Sequence, residues 1–325
     1  MSAMLTATKV KRLGRTAGFD LVGIARAEPL EDFERYCAWL DRGFHGDMAY
    51  LEQGAEARRD PRSLLPKAQS VVVCGLNYLT PHPFRIPQES GDQPVISRHA
   101  WGRDYHVVVR RRLKRLLRLI EEHVGRAVRA RLCVDTAPLL ERALAARAGL
   151  GWIGKNNCLI HPVFGSFLFL GELVLDIELM PDEPIGNRCG RCARCLSACP
   201  TQALAAPHLL DARRCIAYLT IEHRGPIESG LALRMGARVY GCDACQEVCP
   251  WNRRAQQRLA TNVREFWPAS HLANVQFGVF IFENESEFRC FFTGGPIRRL
   301  RWETWQRNLV IAFQNARRTG RMPQG

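Results

Sequence analysis

Cys189-Gly190-Arg191-Cys192-Ala193-Arg194-Cys195-Leu196-Ser197-Ala198-Cys199-Pro200 is a C-x2-C-x2-C-x3-C-P run, and Cys242-Asp243-Ala244-Cys245-Gln246-Glu247-Val248-Cys249-Pro250 repeats its latter part. The repeat lacks an opening cysteine. Val239 stands in its place, and Cys215 lies upstream as the substitute. Eight thiols in this spacing match two [4Fe–4S] clusters of four ligands each. Three close cysteines wrap one cube, and the fourth, followed by proline, crosses to the other. On that rule Cys189, Cys192, Cys195 and Cys249 hold one cluster, and Cys242, Cys245, Cys199 and Cys215 the other. Paired C-x2-C spacings also build zinc sites, but zinc rarely uses a C-x2-C-x2-C triplet closed by Cys-Pro. Disulfides are disfavoured because the opening residues contain no apolar core of a secretory segment. The spacing therefore predicts a ferredoxin-like module over about 181–255, built to move electrons one at a time.

Outward from that module, a chain of 325 residues has room for two or three domains, and 46% hydrophobic residues is an ordinary globular composition. The longest apolar run, from Ser166 to Leu175, is broken by Gly171 and Glu172 and falls short of the ~20 residues that span a bilayer. No membrane partner is expected, and a reducing cytoplasm suits 13 cysteines that are ligands or free thiols. A net charge of +14 favours a polyanionic partner. Its main focus is Arg110, Arg111, Arg112, Lys114, Arg115 and Arg118, with Leu113, Leu116, Leu117 and Ile120 at helical spacing, an amphipathic helix with a basic outer face. A second basic group, Arg298, Arg299, Arg301 and Arg307, is interleaved with Trp302 and Trp305. Each patch alone reads as a solvated face; with the overall charge they favour nucleic acid.

The pattern predicts an α+β fold in three parts: an N-terminal α/β domain over 1–180, the two-cluster module over 181–255, and a short helical C-terminal segment over 256–325. Helices are expected at Thr6–Thr16, from near residue 104, at Pro138–Ala148, at Ile216–Ile221 and at Trp302–Arg317. Strands are expected at Leu21–Ile24, Ser70–Cys74 and Arg131–Asp135, and a strand pair or one long strand at Phe167–Leu175.

Two nucleotide-like motifs fail on context. Gly149, Gly151 and Gly154 spell G-x-G-x-x-G, and Gly149 to Asn156 approaches a phosphate-binding loop, but both need a strand before the glycines. The preceding segment reads as helix, which makes Gly149 a helix C-cap. Asp104-Tyr105-His106 resembles the start of a histidine-ligated cobalamin motif, but Val109 replaces its glycine, and His106 reads as a surface or capping histidine. Cys37, Cys74, Cys133, Cys158 and Cys290 share no spacing and read as small buried hydrophobes. Asp135 ends the apolar run Leu132-Cys133-Val134. It, or Thr136, is placed to cap the Pro138 helix; equally, a partly buried carboxyl there would have a raised pKa and donate a proton.

Several segments together resemble the epoxyqueuosine reductase family: Ser97 to His106, Val134-Asp135-Thr136-Ala137-Pro138, Gly149 to Lys155, Gly165-Ser166-Phe167, Asp211 to Cys215, and Tyr240 to Cys245. The likeness covers nearly the whole chain; longer members carry a helical-repeat extension, expected here at most in abbreviated form. It implies a cobalamin-dependent enzyme related to reductive dehalogenases, which reduces epoxyqueuosine to queuosine in the anticodon loop of tRNA. It implies electrons from a low-potential donor, passed through the two clusters to give cob(I)alamin, a strong nucleophile. It further implies cobalamin held base-off without a histidine ligand, a corrinoid site involving Arg58, Arg98, Asp135, Lys155, Asn157, Leu159, Ser166 and Leu170, and Asp135 as proton donor. The C-terminal segment and the arginine patches are expected to bind tRNA, and the protein is expected to act as a monomer. The competing readings are a ferredoxin-type electron-transfer subunit and a corrinoid reductive dehalogenase; the latter is typically exported on a twin-arginine signal, which is absent here.

Overall fold

Ser70–Asn77, SVVVCGLN, is buried at every position, as a central strand covered on both faces must be. It is the second strand of a four-stranded sheet in the order Leu21–Arg26, Ser70–Asn77, Leu168–Leu175, Ala130–Cys133. All three pairings are antiparallel. The computed structural model describes residues 4–84, 93–272 and 276–318 and divides into two compact units. This sheet belongs to the first, which comprises 1–43, 48–77 and 105–192.

Helices cover both faces of the sheet. Ala7–Thr16, N-capped by Thr6 through Lys9 N (3.2 Å), lies over Val22; a Cβ on Gly14 would sit 2.6 Å from Val22 Cγ2. Tyr105–Val124 packs on the same face, with Val109 against Gly171. Its apolar stripe Val109, Leu113, Leu116 and Ile120 is buried, while Arg110, Arg111, Lys114, Arg115 and Arg118 are exposed. The opposite face carries Glu141–Arg147, whose C-terminal end approaches Gly23 so closely that a Cβ there would meet Ala148 O at 2.1 Å. Leu144, Ala145, Ala148, Val71, Val73, Cys133 and Val174 form the core on that side.

Two expectations shift. The strand expected at Arg131–Asp135 ends at Cys133. The helix expected from Pro138 begins at Glu141, because the backbone from Asp135 to Leu140 turns and Glu141 Oε1 accepts from Asp135 N at 2.6 Å. Gly149 follows the helix at φ +70° and its N–H donates to Ala146 O, so the glycines follow a helix and no nucleotide loop forms.

The second unit comprises 44–47, 78–104 and 193–325. Its core is aromatic, with Phe280, Phe288, Phe292 and Trp305 buried around Val239, Tyr240 and Ile96. Arg238–Tyr240 pairs in parallel with Val95–Ile96. Asn308, fully buried on the helix Trp302–Arg318, donates to Thr220 O (2.8 Å) and Val239 O (3.0 Å), tying that helix to Ile216–Ile221 and to the strand. Among the described residues no helix is long and apolar enough to cross a membrane.

Candidate active site

Asp135 lies just beyond the strand Ala130–Cys133 at φ +52°, a left-handed conformation that few non-glycine residues adopt. Its Oδ2 stands 2.9 Å from His106 Nε2, and its side chain is 52% exposed against 17% for His106. The cap alternative is excluded: Glu141–Arg147 has no side-chain cap, and Thr136 Oγ1 turns back to Val134 O. The Asp135 carboxyl instead meets His106. His106 in turn is not the surface or capping histidine that its place at a helix start suggested. It is held in the first turn of Tyr105–Val124, its ring 4.1 Å from that of Tyr105, which stacks on Phe169 at 4.4 Å and 4°.

Two further carboxyls escaped the sequence reading. Burial pushes Glu141 up to about 7, with the Asp135 charge adding to the shift. Glu172, fully buried in the middle of Leu168–Leu175, is pushed well above the carboxylate range, first by burial and then by Glu141 and Asp135. A charged residue inside an otherwise apolar run is the available signal, though in the sequence it argues only against a membrane span.

Of the expected corrinoid contacts, Lys155, Asn157 and Leu159 come together on the hairpin of Trp152–Ile153 and Leu159–Ile160, followed by Ser166 and Leu170. Asn157 takes φ +61° in the hairpin turn, closed by Gly154 N to Cys158 O at 2.8 Å. Lys155 Nζ donates to Gly190 O (2.7 Å) and Cys192 O (2.9 Å), which fastens the first cysteine loop. Arg58 is buried over the Tyr36 ring and donates to Gln53 O. In the second unit, Arg98 is buried over Trp101, donates to His82 O (3.1 Å) and has Glu247 Oε1 at 3.6 Å. Its backbone N–H is held by Asp243 Oδ2 at 2.7 Å, inside the second cysteine run.

The cysteine runs repeat a local shape: a cysteine pair whose second member lies in a single helical turn (Arg194–Ser197 or Ala244–Glu247), then Cys-Pro. Cys199 N donates to Leu196 O and Cys249 N to Gln246 O, the same i to i−3 closure in both. Ala203 N points at Cys199 Sγ (3.2 Å), a hydrogen bond suited to a ligating thiolate. Cys215 precedes Ile216–Ile221 and is an electrostatic neighbour of Cys242. Val239 is fully buried among the aromatic residues. None of the thirteen cysteines is in a disulfide, so this donor set suits iron–sulfur ligation. Of the five without shared spacing, Cys74 and Cys133 are buried, Cys37 and Cys158 half-buried, and Cys290 is exposed on Glu285–Phe291, against expectation.

Residues 58–136 match the family model described as epoxyqueuosine reductase QueG, DUF1730, and residues 188–252 match the 4Fe-4S double cluster binding domain. An epoxyqueuosine reductase from Vibrio cholerae is 43% identical over 311 residues, 95% of this chain and 83% of the relative. The chain belongs to the epoxyqueuosine reductase family. Among solved structures, an epoxyqueuosine reductase with a tRNA-Tyr epoxyqueuosine-modified stem loop is similar at a TM-score of 0.83 and 30% identity, covering 97% of this chain and 82% of that one. The Bacillus subtilis epoxyqueuosine reductase, described with its aspartate-bearing catalytic loop swung out of the active site, is similar at 0.83 and 28%, covering 97% and 82%. As a family member the chain is an oxidoreductase, with a double [4Fe–4S] domain over 188–252.

In this epoxyqueuosine reductase the two basic groups differ in how much of their charge reaches the surface. The arginine helix offers a continuous basic face. The second group is thinner than its sequence suggested. Trp305 is core and donates to Phe280 O, Trp302 packs against that core, and Arg307 is spent on His223 O (2.9 Å) and Gly225 O (2.7 Å). Arg299 pairs with Asp104 at 3.3 Å, and Arg298 and Arg301 remain exposed.

Proposed function

We propose that this chain reduces epoxyqueuosine to queuosine in the anticodon loop of tRNA, taking up two electrons and two protons and releasing water. The observation that carries the reading is the Asp135–His106 pair at 2.9 Å on a strained loop, in a chain 43% identical to the Vibrio cholerae enzyme over nearly its whole length. The Bacillus subtilis relative is described with an aspartate-bearing catalytic loop, swung out of its active site. That parallel supports Asp135 as the group that protonates the opening epoxide oxygen, a role worth ~10²–10⁴-fold. His106 orients the carboxyl by holding Oδ2, and the Tyr105–Phe169 stack fixes His106.

Cys189, Cys192, Cys195 and Cys249 would hold one cluster, and Cys199, Cys215, Cys242 and Cys245 the other. Residues 1–180 would hold cobalamin base-off. The engagement of His106 Nε2 by Asp135 suits a corrinoid without a histidine ligand. The Lys155–Leu159 turn, Ser166 and Leu170 would face the corrinoid, and Arg58 and Arg98 each brace the backbone of their own unit. When bound, the clusters supply single electrons from a low-potential donor and cobalamin supplies strongly nucleophilic reduced cobalt.

The exposed arginines of Tyr105–Val124 and the 256–325 segment would place the tRNA stem loop through its phosphates, leaving the pocket to read the modified base. The protein would act in the cytoplasm as a monomer. The test is anaerobic reconstitution with iron, sulfide and cobalamin, followed by mass spectrometry of nucleosides from tRNA carrying epoxyqueuosine. Queuosine is the expected product; its absence under a low-potential reductant would overturn the reading.

A further inference from the structure

Glu172 stands in one cross-strand row with Gly23, Val73 and Cys133, on the sheet face covered by Glu141–Arg147. It is 0% exposed, and neither carboxyl oxygen has a hydrogen-bond partner among the described residues. An ionised carboxylate in that position would bear several kcal/mol of uncompensated desolvation, so the neutral acid is the stable form. An apolar side chain would fill the row without the penalty of a buried polar group. The carboxyl thus does nothing for packing, and what it holds is a proton.

The surroundings suit that use. Cys133, beside it in the row, is kept a neutral thiol by burial, pushed up to about 12. Cys74, one residue along the neighbouring strand, is raised in the same way. Glu141 reaches from the covering helix to Asp135 N (2.6 Å), with Arg142 beside it. From the Tyr105–Val124 helix come His106, on Asp135, and Arg110; from the edge strand comes Arg131. The three carboxyls lie in sequence from core to surface: Glu172 buried, Glu141 partly covered, Asp135 half-exposed.

We propose that Glu141 and Glu172 are a proton store behind Asp135, through which one aspartate delivers both protons of the reduction. The inference rests on the reaction proposed above. Asp135 gives its proton to the oxygen as the epoxide C–O bond breaks, takes a second from Glu141, and passes it to the hydroxyl that leaves as water when the alkene forms. The two electrons would be supplied by the cofactors when bound, and Glu172 refills Glu141 before solvent reloads the pair. Glu141 and Glu172 are positioning residues in this scheme, since neither touches substrate.

The test has a spectroscopic and a kinetic arm on the reconstituted holoenzyme. Infrared spectra of protein carrying ¹³C-glutamate should show a protonated glutamate carboxyl that survives above neutral pH and disappears in Glu172→Gln. Glu141→Gln should lower kcat about 10²-fold at every pH with KM unchanged. In Glu172→Gln, kcat should fall about tenfold per pH unit above the Glu141 midpoint of about 7, where the wild type holds its rate. A wild type with no protonated glutamate at neutral pH, or a Glu172→Gln variant with the wild-type pH profile, would overturn the store. Because the infrared arm needs no variant, a misfolded Glu172→Gln leaves the idea exposed to refutation. Failure of the wild type to form any queuosine would instead overturn the underlying reaction.

Discussion

At Asp135 the competing roles of helix cap and acid make opposite predictions for its neighbour. Thr136 makes no cap, so Thr136→Ala should shift stability by no more than about 0.5 kcal/mol, against the ~1 kcal/mol that removing a cap costs. Asp135→Ala should abolish queuosine formation while iron and cobalamin contents stay at wild-type levels, as measured by metal analysis of the same preparation. Retained turnover would remove its assigned role. The φ of +52° adds a second handle. Asp135→Asn tolerates the same backbone and isolates the loss of the acidic proton from any change in loop shape.

At the scale of elements, the cysteine spacing forecasts a specific asymmetry between positions 215 and 239. Cys215→Ser should lower the iron content by about half. Adding Val239→Cys to that variant should not restore it, because residue 239 is fully buried among Phe280, Phe288 and Trp305. Replacing Arg111, Lys114, Arg115 and Arg118 with Gln should weaken tRNA binding and flatten its salt dependence by about one log–log unit for each phosphate no longer neutralised. Thermal stability should change little, since all four side chains are exposed.

What was legible in the sequence follows the same division. Thiol ligation fixes spacing along the chain, so the double [4Fe–4S] domain matched over 188–252 could be read directly. Apolar runs marked the strands at Ser70 and Phe167 and the arginine helix. The carboxyl cluster could not be read that way. His106 and Asp135 lie 29 residues apart, and Glu172 joins them only through the register of an antiparallel sheet. The helix start at Glu141 was hidden because Pro138 looks like a first-turn proline, whereas Glu141 is drawn back to Asp135 N. Trp302 and Trp305 looked like partners of the arginines because interleaving in sequence does not say which face of a helix is buried.

For the molecule as a whole, the buried carboxyls set a direction for stability against pH. Glu141 and Glu172 have folded-state pKa values raised above the unfolded value, so the native chain binds more protons than the unfolded chain across the window between them. Stability must then fall as pH rises from about 4.5 through about 7, the range set by Glu141, and Glu172 carries the fall to higher pH. The Glu141 shift corresponds to about 3 kcal/mol of stability that disappears once both states are ionised. Glu172→Met removes the deeper group and its unpaired oxygens, so it should raise the thermal midpoint, and by more at about pH 8 than at about pH 6. That gain should accompany a loss of queuosine formation above about pH 7, the usual exchange when a carboxyl is kept buried for use rather than for packing. A midpoint that falls equally at both pH values would mean that Glu172 contributes contacts to the sheet and no proton.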